Sequence, residues 1–408
     1  MDAILTPPPR PSSRWVREAN ARVVLEHVWD ADAVTGSDLI EASGLSRATV
    51  HDVCEELIAR GWVREVENQR EYGGYRKGRP ARRYAFAPRA GVVVGVDAGE
   101  HRVSATVTDL RGHVCGRATR GTGGARRPSG ARQESVSRTV LDALARVPAP
   151  TPGVLAVAVG VPAPVAGTSR TPFGGNEYWD RMNPALAEHL VGRHGWTVLV
   201  DNDANLAALA EGWRGHGRGV RSHVTLLAGE RLGAGIVDDG RLLRGAHGGA
   251  GEMRYLGLVE GVGSAAGIAA LVREGARAAL AEPGGAGSVL GGLDPAAVDA
   301  EAVFAAARDG DPLATAVVRN VGQRMARVVA TLASIVDTEQ VVIAGGVADS
   351  CAAIIDIVTR ELPLYFDDAR PRVLASGLGG EVVALGAVKA ALDHVRQHAL
   401  EIALPGGG

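Results

Sequence analysis

The sequence predicts an α/β protein: an N-terminal winged helix-turn-helix followed by a body of two α/β lobes. Near the N-terminus, three short amphipathic helices follow one another, with Gly44 in the turn before the third, an order typical of a helix-turn-helix. A different composition begins at Gly91, where buried strands with short glycine turns alternate with helices. That alternation indicates α/β lobes, and 408 residues are enough for about two or three domains with sizeable cores.

Bulk composition narrows the class of protein. The formal net charge is −2 and the pI is near 6.6, so any affinity for nucleic acid must come from a local basic patch. The three cysteines, Cys54, Cys115 and Cys351, form no CxxC pair, which argues against a disulfide framework and a cysteine-rich zinc site. No apolar run approaches the roughly 20 residues that span a bilayer. We therefore expect a cytoplasmic protein that does not enter membranes.

The third N-terminal helix is a candidate DNA-reading helix. Ser46 is a good N-cap, and the apolar residues from Val50 to Ile58 form one buried stripe at helical spacing. The first turn of such a helix meets base edges and phosphates, so Ser46, Arg47 and Thr49 are the candidate DNA contacts. The alternative is an ordinary three-helix bundle with a surface arginine.

A basic wing is predicted after this helix. Residues 62–67 alternate like a strand, and residues 84–86 are placed to return beside them. The connecting loop is rich in glycine and cations, and Arg76, Lys77 and Arg79 are its candidate DNA contacts. A charge run is usually a solvated face. Six cations within 14 residues, directly after a DNA-reading helix in a near-neutral protein, favour a binding surface.

The body contains a strand-to-helix turn with polar side chains. Apolar residues 198–200 predict the end of a buried strand, and the small residues from Ala204 onward predict a helix. Asn202 and Asp203 lie at the turn between them, where side chains project into a cleft beside the amides of a helix N-terminus. Other predicted elements of the body are strands at 92–97, 102–110, 155–161, 225–227, 233–237 and 340–344, and a helix at 312–336.

Several motifs of the body, taken together, resemble those of the ROK family (repressor, open reading frame, kinase), and specifically its winged-helix regulators. The resemblance covers nearly the whole chain and implies an actin-like, ribonuclease-H-like fold, with sugar in the cleft between two lobes and ATP on the far side. The matching segments are Asn202-Asp203-x-Asn205 for the sugar-binding and general-base turn, Gly160-Val161-Pro162 for a sugar loop, Gly251-Glu252 for the start of Gly-Glu-x-Gly-His, and Gly345-Gly346 for the adenosine-side glycines.

The resemblance also implies a domain organisation and partners. The expected domains are 1–89 for the winged helix-turn-helix, 90–204 for the first lobe and 205–383 for the second lobe, with a C-terminal helix at about 384–400 joining the first lobe. The expected partners are a double-stranded DNA operator, a sugar or sugar-derivative effector, and further copies of the chain in a homodimer or tetramer.

The phosphate loops depart from the family pattern. The first loop, Asp-x-Gly-Gly-Thr-Lys in the family, here has Glu100 after Gly99, and the second has Glu230-Arg231 where the family has Thr-Gly. Carboxylates beside nucleotide phosphates oppose binding by an electrostatic cost on the order of 1–4 kcal/mol each, although Arg102 or Arg231 can offset part of it. Nucleotide binding, for which the candidates are Asp97, Gly99, Gly345 and Gly346, is therefore in doubt, and efficient kinase activity is not expected.

The family's zinc site is missing. Tyr255 stands at the position of the His in Gly-Glu-x-Gly-His, and the cysteine loop that normally follows is deleted. Without thiolates or imidazole, a tetrahedral structural zinc cannot form there, so no metal is expected. Glu260 corresponds to the family's sugar-contacting Glu after the last cysteine. The candidate sugar contacts are thus Asn202, Asp203, Glu252, Tyr255 and Glu260.

Three hypotheses follow. In the preferred one, the protein is a sugar-responsive DNA-binding regulator, acting as a repressor, with an impaired kinase body in which Asp203 is a vestigial general base. In the second, it is an active ATP-dependent sugar kinase with a DNA-binding domain, and Asp203 is its base. In the third, it binds DNA constitutively and has lost its effector. A remaining alternative for Asp203 is that it only caps the helix beginning at Ala204, although sugar contact is preferred.

Overall fold

The computed structural model describes residues 13–66, 82–122, 129–167, 169–172, 176–368 and 370–404. It confirms the predicted α/β class with a helix-turn-helix at the N-terminal end. Within these ranges, no helix is both long and apolar enough to cross a membrane.

The N-terminal domain begins with the three predicted helices. Gly44 ends the second helix at φ +68°, a left-handed conformation that glycine adopts without steric cost. The hydroxyl of Ser46 accepts a hydrogen bond from the backbone N–H of Thr49 at 3.2 Å, which caps the third helix as predicted. The elements are α1 (Ser13–Trp29), β1 (Val34–Thr35), α2 (Gly36–Ser43), α3 (Arg47–Ala59), β2 (Val63–Val66) and β3 (Arg83–Phe86).

The wing strands form as predicted, since β2 and β3 pair antiparallel and β1 adds to the other edge of β3. Arg82, just before β3, forms an ion pair of 2.7 Å with Glu55 on α3. This contact joins the base of the wing to the candidate DNA-reading helix. The tip of the wing, which includes Arg76, Lys77 and Arg79, lies outside the described residues.

The body contains two five-stranded sheets with the same arrangement of strands. In each, three antiparallel strands form one side, and two strands parallel to the innermost of these complete the other. The first sheet has the order β6-β5-β4-β7-β8 and the second β11-β10-β9-β12-β13. Their strands are β4 (Val92–Ala98), β5 (Arg102–Asp109), β6 (Val114–Gly121), β7 (Val154–Val161), β8 (Val198–Asn202), β9 (His223–Leu227), β10 (Gly233–Asp238), β11 (Arg241–Leu242), β12 (Gln340–Ala344) and β13 (Arg372–Ala375).

Helices cover these sheets and supply most of the remaining core. The long helix predicted at 312–336 is present with those bounds. The C-terminal helix, expected at about 384–400, spans Val382–Gln397. The helices of the body are α4 (Ser129–Leu144), α5 (Glu177–Met182), α6 (Leu186–His194), α7 (Asp203–Arg214), α8 (Ile268–Ala281), α9 (Ala300–Arg308), α10 (Pro312–Val336), α11 (Ala352–Glu361) and α12 (Val382–Gln397).

Helix α12 lies between the first sheet and α7, at very short distances on both sides. A Cβ built on Gly95 of β4 would lie 2.2 Å from the carbonyl oxygen of Ala384, and one built on Gly386 would lie 1.7 Å from that of Leu206 on α7. Both distances are far below van der Waals contact, so only glycine fits at either position. Since α7 also packs on β9 and β10, the α7–α12 contact joins the two sheets.

The far end of α12 contacts the N-terminal domain. Trp29, Trp62 and Phe86 form one aromatic cluster, with Trp29 and Phe86 centroids 4.2 Å apart, and this cluster belongs to the same core as Val395 of α12. Arg396 forms ion pairs with Glu26 and Asp30 of α1, at 2.5 and 2.9 Å, and stacks over Trp29. The N-terminal domain is thus packed directly against the helix that joins the two sheets.

We expect the Gly386→Ala substitution to lower the free energy of unfolding by about 1–3 kcal/mol, because the added methyl group overpacks the α7–α12 contact. Urea unfolding followed by circular dichroism measures this. Gly192→Ala on α6 is the control, since a Cβ at that position would have no atom within 4 Å; it should be neutral or slightly stabilising. Equal stability of the Gly386→Ala variant and the unmodified protein would contradict the close packing described above.

Candidate functional site

A small cavity of about 60 Å³ lies between the two sheets, and we call it the inner cavity. The end of β8 contributes Asn202 and Asp203, and a loop after β11 contributes Glu252. Trp179 from α5 and Arg231 from the turn between β9 and β10 complete its polar and aromatic lining. Three of the five predicted sugar contacts therefore meet in one place.

The turn after β8 differs from the prediction at its helix start. The helix begins at Asp203 rather than Ala204, and its N-cap is Asn202, whose side-chain oxygen accepts hydrogen bonds from the N–H groups of Ala204 (3.0 Å) and Asn205 (3.2 Å). The Asn202 amide also donates to the carbonyl of Ala163 at 3.2 Å. Capping is thus performed by Asn202, and the Asp203 carboxylate accepts a hydrogen bond from the N–H of Ala204 at 2.8 Å and one from its own backbone N–H.

Two carboxyl groups near this turn are held in a partly protonated range. Desolvation raises the pKa of Asp203 from 3.8 to about 7, and the charge of Asp97 raises it further. Desolvation also raises the pKa of Asp97, to about 6, against an opposing effect of Arg102. A carboxyl group with a pKa near neutrality can accept or donate a proton at working pH, as a general base requires. The same group can bind a ligand hydroxyl in either protonation state.

Glu252 accepts a hydrogen bond from the backbone N–H of Arg254 at 3.0 Å, and burial raises its pKa. The other two candidates on this segment do not line the inner cavity. The Tyr255 side chain is 65% exposed, and Glu260 is exposed in the loop that follows. Both residues therefore lie on the surface. Among the described residues, no three His, Cys, Asp or Glu side chains are placed to hold a metal ion.

The first phosphate loop follows β4. Asp97 lies at the end of that strand, and a Cβ on Gly99 would meet the carbonyl of Arg102 at 3.0 Å. The Glu100 carboxylate accepts a hydrogen bond from the Tyr178 hydroxyl at 3.2 Å. Arg132 of α4 donates to the carbonyls of Ala98 and Gly99 and so fixes the loop backbone. The loop is thus ordered by the protein's own side chains.

The second phosphate loop carries a paired carboxylate. The two terminal guanidinium nitrogens of Arg273 on α8, Nη1 and Nη2, donate to Glu230 at 2.6 and 2.8 Å, and this bidentate pair lowers the pKa of Glu230. The Glu230 charge is therefore largely neutralised, so its opposition to phosphate is weaker than the sequence alone suggests. The next residue, Arg231, extends over the ring of Tyr178 at 4.9 Å. Gly345 (φ +96°) and Gly346 follow β12, on the second sheet.

The candidate DNA contacts in the described part of the chain lie on one turn. The hydroxyls of Ser46 and Thr49 are 2.9 Å apart and engaged in the cap of α3, whereas the side chain of Arg47 is exposed. Base contact from this turn would therefore come from Arg47 first.

Sequence reasoning missed three side chains of this region. Local sequence patterns do not identify Trp179 or Arg254 as site residues. Arg231 was noted only as a cation that could offset the charge of a nearby glutamate. The Arg254 guanidinium lies 4.9 Å from the Trp179 ring and 5.0 Å from the Tyr255 ring. Trp179 and Arg254 are more than 70 positions apart in sequence, so no local pattern links them. The only signal in the sequence is the occurrence of arginines inside motifs that lack them in the family.

The Asp203→Asn substitution should change how stability depends on pH. A carboxyl group whose pKa rises on folding binds its proton more tightly in the folded state, so it lowers stability as pH rises from about 4 to about 7. Removing this carboxyl group should therefore help more at high pH. The free energy of unfolding of the variant minus that of the unmodified protein should be greater at pH 8 than at pH 4.5, by at least about 1 kcal/mol. Thermal melting at both pH values measures this. Asp356→Asn on exposed α11 is the control, and parallel profiles for the unmodified and Asp203→Asn proteins would refute the raised pKa.

Comparison with known proteins places this geometry in a family. The ROK family profile matches residues 93–394, and the IclR helix-turn-helix domain profile matches residues 21–67. The chain is 32% identical to the glucokinase of Halalkalibacterium halodurans over 46% of its own length and 59% of the length of that enzyme. It is 25% identical to the xylose repressor of Caldicellulosiruptor bescii, over 80% of the chain and 83% of that protein.

A solved structure shows the same fold over nearly the whole chain. A ROK family transcriptional regulator, a homologue of the E. coli MLC protein, superposes with a TM-score of 0.68 and 22% identity, covering 92% of this chain and 96% of that one. Because the ROK profile spans well over half of the sequence, the chain belongs to the ROK family, and it carries a helix-turn-helix domain at its N-terminal end.

Proposed function

We propose that the protein is a DNA-binding transcriptional regulator, acting as a repressor, whose two-lobed body binds a sugar in the cleft. The observation that carries this proposal is the packing of the helix-turn-helix domain against α12, the helix that also contacts β4 beside the first phosphate loop. The name of the C. bescii relative, a xylose repressor, supports it. The domains are those set out from the sequence, with lobes at 90–204 and 205–383 and the C-terminal helix in the first lobe.

The size of the inner cavity supports a link between sugar binding and lobe movement. Its volume of about 60 Å³ is far below the roughly 300–1,000 Å³ of ligand pockets, so a sugar enters only when the lobes separate. Asn202, Asp203 and Glu252 then supply hydrogen bonds to its hydroxyls. The sugar can shift the equilibrium between two lobe arrangements by no more than the difference between its binding free energies to the two arrangements. In a homodimer or tetramer on a pseudo-palindromic operator, this shift changes the spacing of the paired DNA-reading helices.

We further propose that the kinase activity of the body is impaired. The first phosphate loop lacks its second glycine, and Glu100 stands where backbone amides and a hydroxyl would cradle phosphate. Its carboxylate accepts a hydrogen bond from the neutral Tyr178 hydroxyl, and its electrostatic interaction with Arg132 is the counter-charge found nearby. Nucleotide phosphates brought close to Glu100 are repelled.

The proposal predicts salt-sensitive binding to DNA from upstream of the protein's own or neighbouring genes. Arg47→Ala should weaken binding to that site by roughly 5- to 150-fold, as expected for loss of a base contact. The ratio of the affinity for that site to the affinity for unrelated DNA should fall as well. Fluorescence anisotropy at two salt concentrations measures both effects, with exposed Arg319 on α10 replaced by Ala as the control. Equal affinity of the unmodified protein for every duplex would overturn the proposal that it is a sequence-specific regulator.

A second candidate function, an active sugar kinase with a DNA-binding domain, is favoured by the pKa of Asp203. A value of about 7 suits a base that takes the proton of the attacking sugar hydroxyl while the phosphoryl group leaves ADP. The glucokinase from H. halodurans is also a relative.

An assay of ADP release with glucose, xylose and amino sugars distinguishes the two candidates. We expect turnover far below the roughly 1 s⁻¹ at the low end of ordinary enzymes. Turnover above that level which is abolished in Asp203→Asn, but retained in Asp356→Asn, would establish the kinase instead. Sugar-induced thermal stabilisation without turnover supports the regulator, and its absence favours a constitutive DNA-binding protein.

A further inference from the structure

Helix α3 carries a line of polar side chains that continues beyond its first turn, and we call it the α3 stripe. Its members, Arg47, His51 and Glu55, are four residues apart, so they follow one another along one side of the helix. All three are exposed, whereas Val50 and Val53 on the side that faces the domain core are buried. Arg47 is the proposed base contact, so the residue one turn further along the stripe faces the same groove of DNA. That residue is His51.

The α3 stripe is held by an arginine at the base of the wing. Nη1 of Arg82 lies 3.3 Å from Nε2 of His51 and donates to the carboxylate of Glu55 at 2.7 Å. Nε of the same guanidinium lies 3.5 Å from the carboxylate of Glu65 on β2. Arg82 therefore joins the α3 stripe to the wing. Because it pairs with Glu55, that carboxylate repels DNA phosphates less than an unpaired one would.

The contact with Arg82 determines which nitrogen of the His51 ring carries the proton. A guanidinium only donates hydrogen bonds, so Nε2 of His51 accepts from Arg82, and in the neutral ring the proton then lies on Nδ1. Glu55 lies 3.7 Å from Nε2, which is beyond hydrogen-bond distance. Within the described part of the chain, Nδ1 of His51 has no hydrogen-bond partner. The exposed ring thus offers one N–H donor, and Arg82 restrains its orientation.

Guanine is the base that matches a single donor best. In the major groove guanine presents two neighbouring acceptors, N7 and O6, whereas adenine and thymine present one acceptor each. The groove edge of cytosine presents an amino donor, which cannot pair with Nδ1–H. Arginine also selects guanine, so Arg47 and His51 favour the same base. The two residues are about 6 Å apart along the helix axis, so the base pairs that they reach are one or two steps apart.

We propose that His51 is a second base-reading residue of α3, selecting guanine one or two base pairs from the pair contacted by Arg47. Arg82 is the positioning residue that sets the orientation of the His51 ring. The inference rests on the proposed DNA-binding function and deepens it, since it specifies part of the operator. Each half-site should contain two guanines at this spacing.

Selection of duplexes from a random-sequence library by the full chain, followed by anisotropy with every single base-pair change in the selected half-site, tests the inference. His51→Ala should reduce the preference for guanine at one base pair by roughly 2- to 12-fold, as expected for loss of one hydrogen bond, and leave the other pairs unchanged. Arg82→Ala should reduce the preference at that same pair, and Arg82→Lys, which keeps a donor, should recover part of it. His27→Ala, exposed on α1, is the matched control, and melting curves verify that each variant folds.

The base-pair profiles separate failure of the inference from failure of the regulator proposal. If no duplex is selected over any other, the regulator proposal fails and the inference fails with it. If a half-site is selected and His51→Ala leaves its profile unchanged, the inference is refuted and the regulator proposal stands. If His51→Ala weakens binding to all duplexes equally, His51 contacts phosphate and its base-reading role is refuted. If Arg82→Ala does so without changing the pair read by His51, the positioning role of Arg82 is refuted.

Discussion

The close approach of α12 to β4 on one side and α7 on the other is the constraint on which the rest of the structure depends. It requires glycine at positions 95 and 386, because a single methyl group at either would overlap a backbone carbonyl. The α7 side of this contact starts at Asn202 and Asp203, so the polar turn of the site is carried by a helix fixed in the core. Close helix packing thus determines where the cleft side chains lie.

The electrostatics of the cleft combine two opposing effects. Desolvation raises the pKa values of Asp97 and Asp203, which lets a pair of nearby carboxyl groups share one region without two full charges. On the other side, stacking of Arg231 and Arg254 on aromatic rings keeps cations close to the cleft. The cleft thus brings proton-donating, proton-accepting and cationic groups into a small volume.

Much of the fold could be predicted from sequence because its signals are local. The Ser46 cap, the wing strands, the bounds of α10 and the strand-to-helix turn at Asn202 depend on residues a few positions apart. Strand β6 was not predicted, since it is an edge strand with mostly exposed side chains and no clear apolar alternation. The order of strands within each sheet was not predicted, because periodicity carries no information on it, and it is given by the structure.

The candidate site was predicted less completely, for a related reason. Asn202, Asp203 and Glu252 meet as expected, since each belongs to a motif with its own local pattern. The ion pair of Glu230 with Arg273 joins residues 43 positions apart, and no local pattern in either segment predicts it. Tyr255 and Glu260 lie on the surface, and this could not be predicted because the path of the loop that carries them is not encoded in a local pattern.

The ion pairs of Arg396 with Glu26 and Asp30, together with the shared aromatic core, fasten the N-terminal domain to the end of α12. If the lobes separate as proposed, the N-terminal domain moves with the sheet that α12 covers, and the sheet of β9 to β13 moves relative to both. A change of lobe angle within one chain then leaves the position of its own helix-turn-helix on the first sheet unchanged. In the proposed dimer, the distance between the two helix-turn-helix domains changes only if the chains contact each other through the sheet of β9 to β13.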